Sequence, residues 1–95
     1  MNKTIRPVNF DAKQSIIDSV NVHFDDLPNF HSGITSAEIY LKRLNEALMQ
    51  IEINVFVSGF EKIFAEATGS NFLVAANETY EKIKSALLTA SGGKK

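Results

Sequence analysis

Read from the N-terminus, apolar and polar positions first alternate: Val8 and Phe10 in "IRPVNF" share one side of a short strand. Pro7 has no amide to donate, which confines that strand to a sheet edge. "DAKQ" then reads as a helix start, with Asp11 accepting from the amide three residues on and Gln14 reaching back. Ile16, Ile17, Val20, Phe24 and Leu27 follow at helical spacing as one apolar stripe, which Pro28 terminates. After Gly33 the rhythm changes to period two. Thr35, Ala37, Ile39 and Leu41 alternate with Ser36, Glu38, Tyr40 and Lys42, the pattern of a half-buried strand. The same stretch also fits a helix through Ala37, Tyr40, Leu41, Leu44 and Leu48, but its Ile, Thr and Tyr content favours a pleated surface. Met49, Ile51, Ile53, Val55 and Val57 alternate without a miss; "SGFE" makes a turn, and "KIFAEAT" a fourth strand. From about Ser70 the period returns to helical, with Phe72, Ala76, Tyr80, Ile83 and Leu87 on one stripe, and this helix is expected to end before Gly92.

The resulting order, β-α-β-β-β-α, predicts an α+β fold with a four-stranded sheet and both helices packed on one face. Short connections make strands two to four an antiparallel meander. The helix between strands one and two permits a parallel pair closed by a right-handed crossover. Residues 1–90 form the single expected domain and 91–95, "SGGKK", a flexible tail. If Ala37, Ile39, Leu41, Ile51, Ile53, Val55 and Ile63 face the helices, then Tyr40, Phe56 and Phe64 fall on the open face. Three aromatics on neighbouring strands predict a contiguous apolar patch, suited to stacking on bases or to burial against protein; with little positive charge nearby, a two-fold homodimer is the expected use.

Composition narrows the function. At 44% hydrophobic and 22% charged, the 95 residues have the make-up of one globular domain. With no cysteine, disulfides, thiolate metal cages and thiol nucleophiles are excluded. "MNKTIRPVNFD" lacks the apolar core of a secretion signal, and no run is apolar enough to span a bilayer, so the chain reads as cytoplasmic with no membrane partner. His23, Asp25, Asp26 and His31 are metal-ligand types, but Pro28 separates His31 from the rest and scattered surface groups are the expected outcome. No nucleophile, base and orienter share a recognisable frame, and no glycine loop cradles a phosphate. The expectation is a protein that is not an enzyme, with no metal, no cofactor and no small-molecule substrate. Net charge is −1, and without Lys94 and Lys95 the ten Lys and Arg become eight against eleven Asp and Glu, a thin footprint for nucleic acid.

The order of elements, together with "VNFDAKQSIIDSVNVHFDDLPNFHSGITSAEIYLK", "IEINVFVSG" and "IFAEATGSNFLVAANETYEKIKSAL", resembles the ribosome hibernation promoting factor family. Its members are also described as ribosome-associated translation inhibitors and formerly as sigma-54 modulation proteins. The resemblance implies a short-form stress protein that occupies the decoding region of the small (30S) ribosomal subunit and acts by occupancy, without turnover. It implies rRNA contacts, for which the candidate cations are Arg6, Lys13, Lys42, Arg43, Lys82 and Lys84, with Lys94 and Lys95 as a cationic tail. Lys82 and Lys84 sit at family-matching positions. The chain departs from the family pattern along the first helix, where basic residues give way to Val22, His23, Asp25, Asp26 and Asn29.

Overall fold

A computed structural model describes residues 2–59 and 62–92. The elements are β1 (Asn2–Val8), α1 (Gln14–His23), β2 (Ile34–Asn45), β3 (Leu48–Val57), β4 (Ile63–Gly69) and α2 (Phe72–Gly92), with a 3-10 turn at Leu27–Asn29. The strands form one sheet in the order β1-β2-β3-β4. β1 pairs with β2 in parallel, and β2–β3 and β3–β4 are antiparallel, so β1, β2 and β4 all run in one direction. The expected α+β architecture holds, with both helices on one face.

Period-two patterning explains that face. Ala37, Ile39 and Leu41 on β2, and Ile51, Ile53 and Val55 on β3, are fully buried under the helices, as the alternation predicts. Val20, Phe24 and Leu27 close the core from the α1 side, and Ala75, Ala76, Ile83 and Leu87 from α2. Segment 35–48 is strand followed by the start of a hairpin, not helix: at the centre of a sheet, burial of alternate residues outweighs the helix propensity of "NEALMQ". Thr79, on the buried stripe of α2, donates its hydroxyl to the Ala75 carbonyl at 2.8 Å, with the Ile51 carbonyl of β3 at 3.2 Å. A buried hydroxyl is thereby satisfied where helix meets sheet.

Several local expectations are corrected. β1 begins at Asn2 and stops at Val8, because Asn9 takes a left-handed φ of 64° that ends the strand. Phe10 thus leaves the sheet, and its ring stacks on Phe72 at 5.5 Å between centroids. Asp11 does not cap α1. Lys13, in extended conformation, stands at the N-cap with no side-chain capping bond, and Gln14 instead donates to Asp18 at 2.9 Å. The helix ends at His23, well short of Pro28, which sits inside the 3-10 turn. Thr35 is exposed rather than inward, since the register shifts between Ile34 and Ser36; its hydroxyl donates to the Phe56 carbonyl at 3.0 Å. α2 continues through Gly92, so the expected tail begins inside it, while Lys94, Lys95 and part of the "SGFE" turn lie outside the described residues.

Gly69 sets how closely α2 follows β4. A Cβ there would lie 2.7 Å from Val74 Cγ1 and 2.8 Å from the Ala75 nitrogen, so only glycine admits the first turn of the helix.

Candidate functional site

The six candidate cations do not converge on one surface. Arg6 and Lys42 lie on the open face, Lys13 and Arg43 line a cleft between the helix starts and the β2–β3 hairpin, and Lys82 and Lys84 project from α2. Two residues apart on a helix, Lys82 and Lys84 are directed to different sides. Lys82 Nζ donates to the Glu66 carbonyl of β4 at 3.0 Å. Lys84 Nζ stands 5.4 Å over the Phe30 ring.

On the open face, Tyr40, Phe56 and Phe64 are present as predicted, but the register separates them. Tyr40 pairs with Glu52, and Phe56 lies four residues further along β3, opposite Ser36. That puts Tyr40 and Phe56 about 13 Å apart along the strand. Phe64 pairs with Asn54 and is thus a diagonal neighbour of Phe56. A polar ladder occupies the rest of this face. Lys42 pairs with Glu52 at 2.6 Å, Gln50 donates to Glu66 at 2.9 Å, and the Tyr40 hydroxyl donates to Glu38 at 3.0 Å. That last hydrogen bond, ahead of desolvation, raises the Tyr40 phenol above its ordinary value. The aromatic content therefore reduces to one pair, Phe56 and Phe64, bordered by carboxylates.

The helix side is held by contacts that sequence patterning did not signal. The Tyr80 hydroxyl donates to Asp26 at 2.9 Å, and its ring meets Phe24, Phe30 and His23 edge-on. Burial, then the Asp26 hydrogen bond, pushes the Tyr80 phenol up to about 12. Lys3 projects from the inner side of β1, donates to the Asn21 carbonyl at 2.7 Å and pairs with Asp25, satisfying the C-terminal end of α1. Its one available signal was a lysine in register with the inward residues Ile5 and Pro7. With Asp25 and Asp26 so engaged, and His31 Nδ1 accepting from the Gly33 amide at 3.0 Å, the four metal-ligand types stay apart. Among the described residues no group of three or more His, Cys, Asp or Glu is placed to hold a metal. No described helix is long and apolar enough to cross a membrane.

Against known proteins, the model of the family described as "Sigma 54 modulation protein / S30EA ribosomal protein" matches residues 4–92. No curated protein sequence is significantly similar to the chain. Among solved structures, the fold is similar to the N-terminal domain of Thermus thermophilus Protein Y, with a TM-score of 0.78 and 20% identity over 93% of this chain and 97% of that one. It is also similar to a ribosomal subunit interface protein from Coxiella burnetii, with a TM-score of 0.82 and 15% identity over 97% of this chain and 99% of that one.

Proposed function

Because the chain belongs to the sigma 54 modulation protein / S30EA ribosomal protein family, we propose that it is a ribosome-associated hibernation factor that binds small-subunit rRNA and inhibits translation by occupying the decoding region. The observation that carries this reading is the family match over residues 4–92, nearly the whole chain. The fold supports it, being shared with a protein named for the ribosomal subunit interface. Contact with rRNA falls to Arg6, Lys13, Arg43, Lys82 and Lys84, since Lys42 is neutralised by Glu52. These charges are spread over several surfaces, so the protein touches phosphates at separated points rather than through one basic stripe. Pelleting with purified small subunits tests the reading. Saturable co-sedimentation at low salt is expected, and none at all overturns it.

One observation favours a second use of the same fold. The half-exposed Phe64 beside Phe56 offers a small apolar centre on the open face, around which two copies could close by two-fold symmetry. Light scattering of the wild type and of Phe56→Glu tests it: a dimer converted to a folded monomer is expected. A wild type already monomeric at tens of micromolar removes this surface from consideration.

A further inference from the structure

β2 and β3 are 12 and 10 residues long, whereas their neighbours β1 and β4 have 7 each. At the hairpin end β2 overhangs β1, whose last residue Val8 pairs with Lys42, while Met49 of β3 still pairs with Gly69 of β4. The inward residue Arg43, opposite Met49, therefore lies beyond the end of β1. The register shift between Arg43 and Asn45 sits at this point, and such irregularities re-aim side chains. β1, β2 and β4 all end here. The result is a cleft of about 710 Å³, within the range of small-molecule sites.

Its chemistry is two-sided. Ile16, Met49, Leu73 and Val74 make an apolar wall, and Leu73 and Val74 remain 51% and 43% exposed. Phe72 is buried and stacked parallel to Phe10, so the floor does not present an open aromatic platform for a base. At the rim stand Lys13 and Arg43, neither of which forms an ion pair among the described residues, opposed by the single carboxylate of Asp11. The local balance is one net positive charge beside an apolar wall.

We propose that this cleft binds a small carboxylate with a compact apolar body, its carboxylate on Lys13 and Arg43 and its body against Leu73 and Val74. A singly charged anion matches the net charge; a phosphate dianion would remain undercompensated. A nucleotide would further lack a ring to stack on. The site shares Lys13 and Arg43 with the proposed rRNA contacts but does not depend on them, since it is probed in the ribosome-free protein.

The test is a titration of the ribosome-free protein followed by amide NMR shifts, with octanoate, N-acetylleucine, octylamine and uridine monophosphate as probes. Saturable shifts confined to the cleft, at Ser15, Leu73 and Val74, are expected for octanoate or N-acetylleucine, with affinity on the order of millimolar for ligands of that size. The order of those two tells a free acid from a peptide carboxyl terminus, and either supports the site. Octylamine should bind at least about tenfold more weakly, as should octanoate to the doubly substituted Lys13→Gln/Arg43→Gln protein. Both positions are exposed, and the same spectra report whether the variant is folded. Equal binding of octylamine, tighter binding of uridine monophosphate, affinity unchanged in the variant, or no saturation would each overturn the proposal.

Discussion

If the ribosome reading holds, charge on α2 should appear in the salt dependence of binding rather than only in its strength. The proposed phosphate contacts are Arg6, Lys13, Arg43, Lys82 and Lys84, Lys42 being paired. Each phosphate contact adds about −0.7 to −0.9 to the slope of log affinity against log salt, so five give roughly −3.5 to −4.5 and a loss of about 100- to 500-fold between about 50 and 200 mM. Replacing Lys82 and Lys84 by glutamine removes roughly 1.4 to 1.8 from that slope, so the advantage of the wild type should shrink about tenfold over the same range. Glutamine is chosen over glutamate because it deletes the charge without adding repulsion. The fold should persist, since neither lysine lies on the buried stripe, and loss of the cation over Phe30 costs only about 0.5–1 kcal/mol. The single variants add resolution. Lys82 reaches the β4 edge and Lys84 the Phe30 ring, so each single variant should change the slope by about 0.7–0.9, and one that runs parallel to the wild type excludes its side of α2. The assay is pelleting with purified small subunits across a salt series, with circular dichroism as the folding control. Parallel lines for wild type and double variant would show that neither lysine meets a phosphate, and would exclude α2 as the gripping surface.

Two further predictions concern the frame that holds these surfaces. Gly69→Ala should destabilise the domain by about 1–3 kcal/mol, because the added methyl meets the Ala75 backbone nitrogen at 2.8 Å, which cannot swing aside as a side-chain tip would. An unchanged urea midpoint would refute the close approach. Tyr80 titrates near 10.0 when unfolded and about 12 when folded, so its raised phenol contributes stability that is fully present below pH 10 and lost as pH rises towards 12. Tyr80→Phe should therefore flatten the fall of the urea midpoint across that window; an identical fall in both proteins would show that burial and the Asp26 contact do not hold the proton.

Alternation from Met49 to Val57 was enough to read β3, because a residue's face in a strand depends only on its parity. Parity also put Tyr40, Phe56 and Phe64 on the correct side. It could not place them beside one another, because neighbours across strands depend on register, and register is set by the hairpin that pairs Asn45 with Leu48. The start of α1 was misplaced for a related reason. "DAKQ" is a sound capping pattern, but the left-handed turn at Asn9 delays helical geometry until Gln14. Lys13 and Arg43 were singled out as separate cations, thirty residues apart, and only the overhang of β2 past β1 brings them to one cleft. Lys3 carries no such signal in the sequence, because the role of a charged side chain on the inner side of an edge strand is legible only once its partner, the end of α1, is in place.

The parallel pairing of β1 with β2 has a consequence for how the domain assembles. Asn45 and Leu48 pair across a two-residue turn, and β3 and β4 are likewise joined by a short connection, so the meander closes through local contacts. Asn2 meets Ser36 only after roughly 33 intervening residues, α1 among them, have been gathered in, an entropic cost about 2 kcal/mol above that of the hairpin. Contacts of that separation are made late, when a surface already exists to receive them. The strand that leaves the ribosome first is therefore the one that locks into the sheet last, and the Lys3 clasp on α1, which β1 carries, is made with it.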